Sequence, residues 1–211
     1  MSETLKITRI SWDMDGVLVP APFSLWTTID LALRRFHTKP DVKPVLKDFH
    51  APKGFWKRKW AEQDYRGHAK RKATEESINA VKRLVGLRKE LGLDFEIGVL
   101  SGRDPSKHDL AERVLDESGL RPHFSFVLLN PGYRSPVWKE MNAKGEGHFH
   151  FEDDPDPAVR MARNGTHVYL VDNPSTDPRL LRWGGVILPP NVIPVGNITK
   201  GMDDLEQRLR R

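Results

Sequence analysis

Trp12-Asp13-Met14-Asp15-Gly16-Val17-Leu18-Val19 follows directly on Leu5 to Trp12, a run in which apolar and polar residues alternate with the period of a half-buried strand. Two carboxylates two residues apart at a strand end, followed by glycine, can point into one site while the turn exposes backbone groups. One carboxylate can attack as a nucleophile while the other moves a proton. A plain Asp-Gly turn would use the same residues, so the stretch decides the fold only in company.

That company is a series of further apolar runs with strand character: Phe95 to Leu100, Phe124 to Leu129, His148 to Phe151, His167 to Val171 and Val186 to Leu188. Helical stretches separate several of them, at Glu75 to Leu91, Lys107 to Ser118 and Pro157 to Asn164, with Thr74 as an N-cap and Gly119 and Gly165 as stops. Alternating strands and helices predict an α/β fold: a mostly parallel, Rossmann-like sheet flanked by helices, with functional groups outside the carboxyl ends of the strands. Residues 20–73 break the rhythm. They hold helical patterns at Phe23 to Phe36 and Phe55 to Lys72 joined by a proline-containing segment, and are expected to form a helical cap inserted after the first strand. Residues 1–19 and 74–198 then make the core, and residues 199–211 a charged C-terminal helix.

The 211-residue chain contains no cysteine, which removes disulfides, thiolate nucleophiles and zinc-thiolate sites together. No apolar run reaches the roughly 18 residues needed to cross a bilayer, and residues 1–9 lack the apolar stretch of a signal peptide, so a cytoplasmic protein with no membrane partner is expected. The formal net charge of +5 is uneven. Residues 34–72 carry 13 Lys and Arg against four Asp and Glu, which leaves the remainder net acidic. A basic insert on an acidic body suggests an anionic partner or a solvated helix face.

At the ends of later strands stand Ser101-Gly102-Arg103, then Lys139 opening a helix after a proline-containing loop, then Glu152-Asp153-Asp154. In that order, and together with Asp13-x-Asp15-Gly16, these residues resemble the motifs of the haloacid dehalogenase superfamily from Leu5 to about Asp172. Asp15 resembles the phosphatase branch. The resemblance implies that Asp13 forms an aspartyl-phosphate, that Asp15 protonates the leaving oxygen and then activates water, that Ser101 donates to a phosphoryl oxygen, and that Lys139 neutralises charge. It further implies Mg2+ held by Asp13, Asp153, Asp154 and the backbone carbonyl of Asp15, hard oxygen ligands that suit this ion. Glu152 is expected to point away.

Ser101-Gly102-Arg103 also resembles polynucleotide kinase phosphatase domains, where Gly102 and Arg103 would meet the phosphate or neighbouring nucleotide; a surface arginine paired with Asp104 or Asp109 is the plainer reading. The Asp13 to Leu18 run followed by a cap resembles deoxyribonucleotidases. In Phe55-Trp56-Lys57-Arg58-Lys59-Trp60, Lys57, Arg58 and Lys59 could meet phosphates while Trp56 and Trp60 stack on bases or pack the cap. The expected substrate is a phosphorylated nucleotide or nucleic-acid end. A sugar-phosphate phosphatase and a non-catalytic nucleic-acid-binding module are the alternatives. His148 and His150 share a strand face and read as buried packing rather than as metal ligands.

Overall fold

A computed structural model describes residues 6–20, 70–103, 105–132, 135–172 and 187–211. The first strand, β1 (Arg9–Trp12), is the centre of a six-stranded sheet of order β3-β2-β1-β4-β5-β6, in which every pair is parallel. The other strands are β2 (Glu96–Ser101), β3 (Phe126–Leu129), β4 (His148–Glu152), β5 (His167–Val171) and β6 (Val192–Val195). Parallel neighbours require crossovers, supplied among the described residues by α1 (Glu75–Glu90), α2 (His108–Glu117), α3 (Ser135–Asn142) and α4 (Pro155–Arg163), while α5 (Ile198–Leu209) follows the last strand.

The two faces of the sheet are packed differently. On one, Ile10, Trp12, Ile97, Val99, Phe149, Phe151 and Tyr169 meet α1, α2 and α5 in a continuous apolar core. On the other, Leu100, Val168 and Leu170 pack against Trp138 of α3 and Ala158, Met161 and Ala162 of α4. Trp12 stacks on Phe151 with ring centroids 5.5 Å apart, which ties the two central strands together where they deliver their carboxyl ends.

Thr74 caps α1 as the sequence indicates, its side chain accepting from Ser77 N, and Gly119 and Gly165 take positive φ just after α2 and α4. Two expectations need correction. The sixth strand is not Val186–Leu188: Ile187 and Leu188 lie outside any strand, and Val192–Val195 pairs with β5 instead. Pro194 hides this strand from sequence reading, yet its missing N–H is tolerated because β6 is an edge. Lys139 does not open a helix either. It lies inside α3, which already starts at Ser135 and carries Pro136 in its first turn, where a proline lacks nothing the helix needs.

The expected cap, including Trp56, Lys57, Arg58, Lys59 and Trp60, lies outside the described residues except for Pro20 and residues 70–73. Thr74 N donates to Leu18 O at 3.1 Å and Ser77 Oγ to Val17 O at 2.9 Å, so the chain returns to the end of β1 from which it departed.

Candidate active site

Asp13 is the first residue past β1, and its N–H continues the ladder by donating to Phe151 O at 2.9 Å. Residues 14–19 then fold back as a tight turn, with Gly16 N donating to Val19 O and Val19 N to Met14 O, each at 2.8 Å. This turn brings both aspartates to the carboxyl end of the sheet.

Asp13 is 6% exposed. Lys139 Nζ lies 3.0 Å from its Oδ1 and 2.6 Å from Glu152 Oε2. Contact with Asp13 is one of charge rather than alignment, for Oδ1 is buried without a well-directed hydrogen bond. Burial pushes the Asp13 carboxyl up to about 6, Lys139 opposes this, and Glu152 and Asp15 add to it. Burial works against the charge on Lys139, but Asp13 and Glu152 outweigh it and hold the ammonium well above its ordinary range. Asp153 is raised too, by burial and then by Glu152, Asp13 and Asp154.

Carboxylate oxygens of Asp13, Glu152 and Asp153 all lie within 4.8 Å of one another. Three acids around one ammonium leave a negative excess in a buried place, and the donors are all hard oxygens. The residues present therefore fit a divalent cation such as Mg2+.

Asp15 faces two guanidinium groups. Arg103 holds it in a fork, Nε to Oδ2 at 2.8 Å and Nη2 to Oδ1 at 2.9 Å, and Arg71 Nη1 reaches Oδ1 at 3.0 Å. Arg103 is thus a buried arginine held on Asp15 rather than a surface one. It is 4% exposed, and its Nη1 is buried without a hydrogen-bond partner. Ser101, 1% exposed at the end of β2, accepts from Arg103 N through Oγ at 3.3 Å, while Asn130 Nδ2 donates to Gly102 O at 3.4 Å.

No family model and no curated protein matches the chain; solved structures do. A haloacid dehalogenase-like hydrolase from Streptococcus pneumoniae superposes with a TM-score of 0.58 at 14% identity, over 94% of this chain and 98% of that one. A haloacid dehalogenase family hydrolase from Deinococcus radiodurans R1, with bound phosphate and sodium, gives 0.59 at 14% identity over 98% and 97%. An L-2-haloacid dehalogenase gives 0.55 at 14% identity over 98% and 100%. The fold is that of the haloacid dehalogenase-like hydrolases.

Within this haloacid dehalogenase-like fold, Asp13, Lys139 and Asp153 come together directly, and Asp15 is beside them with Arg103. Asp154 Oδ1 accepts from Asp156 N at 3.0 Å and caps α4. Glu152 does not point away. It is fully buried, with Oε2 on Lys139 and Oε1 accepting from the N–H groups of Asp153 and Asp154, both at 3.1 Å. Two participants went unread in the sequence. Ser11 shares the Asp13 face of β1 by simple alternation, a signal available from the start. Arg71 reaches Asp15 across 56 residues, and no local pattern announces that.

Proposed function

We propose that the chain is a magnesium-dependent phosphomonoesterase that works through an aspartyl-phosphate on Asp13. The observation that carries this is the cluster of Asp13, Glu152 and Asp153 around Lys139, a nucleophile surrounded by the charges that phosphoryl transfer needs. Asp13, Asp153 and the backbone carbonyl of Asp15 would hold the cation, with Asp154 beside them, and the cation would offset the negative charge of phosphate and carboxylates together.

A carboxylate oxygen of Asp13 attacks phosphorus, the ester P–O bond breaks, and the leaving oxygen takes a proton from Asp15. Asp15 then takes a proton from water as the water oxygen attacks phosphorus, which releases phosphate and restores Asp13. Ser101 donates to a phosphoryl oxygen. Lys139 balances charge on Asp13 and on the transferring group. An arriving phosphate competes for Arg103 and Arg71, which draws them from Asp15 and favours its protonation.

A nucleotide or a nucleic-acid end is the substrate that fits the basic excess of residues 34–72 and Ser101-Gly102-Arg103, which resembles polynucleotide kinase phosphatase domains. Lys57, Arg58 and Lys59 would then contact backbone phosphates. The Deinococcus structure of the same fold was solved with bound phosphate, which accords with a phosphorylated substrate. A cytoplasmic location accords with the lack of cysteine.

Turnover of an aryl phosphate, 3′- and 5′-phosphorylated oligonucleotides, mononucleotides, sugar phosphates and 2-haloacids, each with magnesium or with chelator, tests the proposal. Magnesium-dependent phosphate release that Asp13→Asn abolishes is expected. Halide release without phosphate release overturns it. Preference for sugar phosphates, or unchanged salt dependence on oligonucleotides after neutralising Lys57, Arg58 and Lys59, overturns the nucleic-acid assignment alone.

A further inference from the structure

On the α3–α4 side of the sheet, the flanking strands present Leu100, Val168 and Leu170. The two central strands do not. There β1 and β4 place Ser11, His148, His150 and Glu152, each 0% exposed, with Ser11 opposite His150 in the ladder. Polar groups buried in this way are costly unless fully paired, and apolar residues of similar volume often serve stability as well or better. Packing therefore does not account for them.

Their contacts form one directed chain. Lys144 N donates to His148 Nδ1 at 3.2 Å, so that nitrogen is an acceptor. Burial, then His150 and the nearby cations, pushes His148 down to about 2, and burial followed by Lys139 pushes His150 down to about 3. Both rings are neutral, each with a single donor and a single acceptor. His148 must then donate from Nε2 to Ser11 Oγ at 2.7 Å, Ser11 must donate to His150 Nδ1 at 2.7 Å, and His150 must donate from Nε2 to Glu152 Oε2 at 3.3 Å. Lys139 completes the Oε2 contacts, and the amides of Asp153 and Asp154 fill Oε1.

The chain also closes on itself through α3. Lys139 lies within that helix and Lys144 just beyond its end. Since the helix runs back along the sheet, Lys139 stands over Glu152 while Lys144 stands over His148. One polar chain thus ties α3 to β4 from the middle of the helix and from just beyond its C-terminal end.

We propose that His150 is a positioning residue, which with Ser11 and His148 fixes Glu152 and, through it, the placement of Lys139 against Asp13. Both Glu152 oxygens are occupied, Oε2 by Lys139 and His150 and Oε1 by the Asp153–Asp154 backbone. The kinetic consequence rests on the phosphatase reading; the positioning itself does not.

The test compares wild type with His150→Leu, His150→Gln and the smaller Ser11→Ala, using the Lys139 ammonium nitrogen resonance and the kinetics of aryl phosphate hydrolysis. Wild type should show both imidazoles as the Nε2–H tautomer. His150→Leu and Ser11→Ala should shift or broaden the ammonium signal and lower kcat by about 10- to 100-fold with a smaller change in KM. His150→Gln, which keeps a donor toward Glu152, should restore much of both. Folded Ser11→Ala and His150→Leu proteins with unchanged ammonium signal and kcat overturn the proposal, as does loss of both readouts in step with melting temperature and without rescue by Gln. If wild type hydrolyses no phosphomonoester while the ammonium signal responds as described, positioning stands and only the phosphatase reading fails.

Discussion

Gly16 and Asp153 are in such close approach that a Cβ on Gly16 would stand 1.9 Å from Asp153 Oδ2. The turn after β1 and the turn after β4 therefore interlock through a missing side chain. Gly16 also has φ of 82°, a region costly for any residue with a Cβ. Gly16→Ala is expected to displace Asp153 from the cluster it forms with Asp13. Magnesium titration should show weakened binding, and melting should show a loss of about 1–2 kcal/mol from the backbone alone. Unchanged magnesium affinity would separate Asp153 from the cation site.

Asp13→Asn is expected to abolish turnover and, without magnesium, to make the protein more stable. The folded-state pKa of about 6 lies above the ordinary value of 3.8, so the native state holds the proton more tightly. Stability of the wild type is therefore lost as pH rises from about 4 to 6. The advantage of Asn should grow across that window and level off above it. Denaturation at several pH values in chelator checks this, and an advantage largest at the acid end of the window would show that the sign is wrong.

Lys139→Met removes the ammonium shared by Asp13 and Glu152. A buried carboxylate left without its partner costs about 3–5 kcal/mol, which urea denaturation would register. Adding Glu152→Gln should recover part of the loss. Strictly additive effects would mean that the pair is not coupled.

The buried histidines give stability a pH dependence of opposite sign. Their folded pKa values, about 2 for His148 and about 3 for His150, lie below the ordinary value of 6.5. The unfolded chain takes up protons that the native state refuses, so stability is present above pH 6.5 and falls as pH drops from there toward about 3. Each histidine contributes a slope of about 1.4 kcal/mol per pH unit. His148→Leu should therefore gain on the wild type as pH falls below 6.5. Parallel stability curves for the two proteins between neutral pH and about pH 4 would place protons on these rings.

Alternation and order alone made much of the protein legible. Strand β5 falls at His167–Val171 and the N-cap of α1 at Thr74, because period, cap chemistry and glycine stops are local properties of the chain. The same period of two puts Ser11 beside Asp13, and His148 and His150 beside Glu152, on one face. Strand β6 escaped because Pro194 looks like a strand breaker, and only the sheet order shows that it occupies an edge.

What tertiary structure alone decided is the role of each acid in Glu152-Asp153-Asp154. The sequence presents three adjacent carboxylates that differ little. Packing of α3 over β4 sets Lys139 against Glu152, the start of α4 takes Asp154 as its cap, and the turn at Gly16 leaves space for Asp153. Arg71 and Arg103 meet at Asp15 from far along the chain. Charge assignments of this kind depend on distances of about 3 Å between segments that only the folded sheet brings together, whereas local periodicity needs no more than the neighbouring residues.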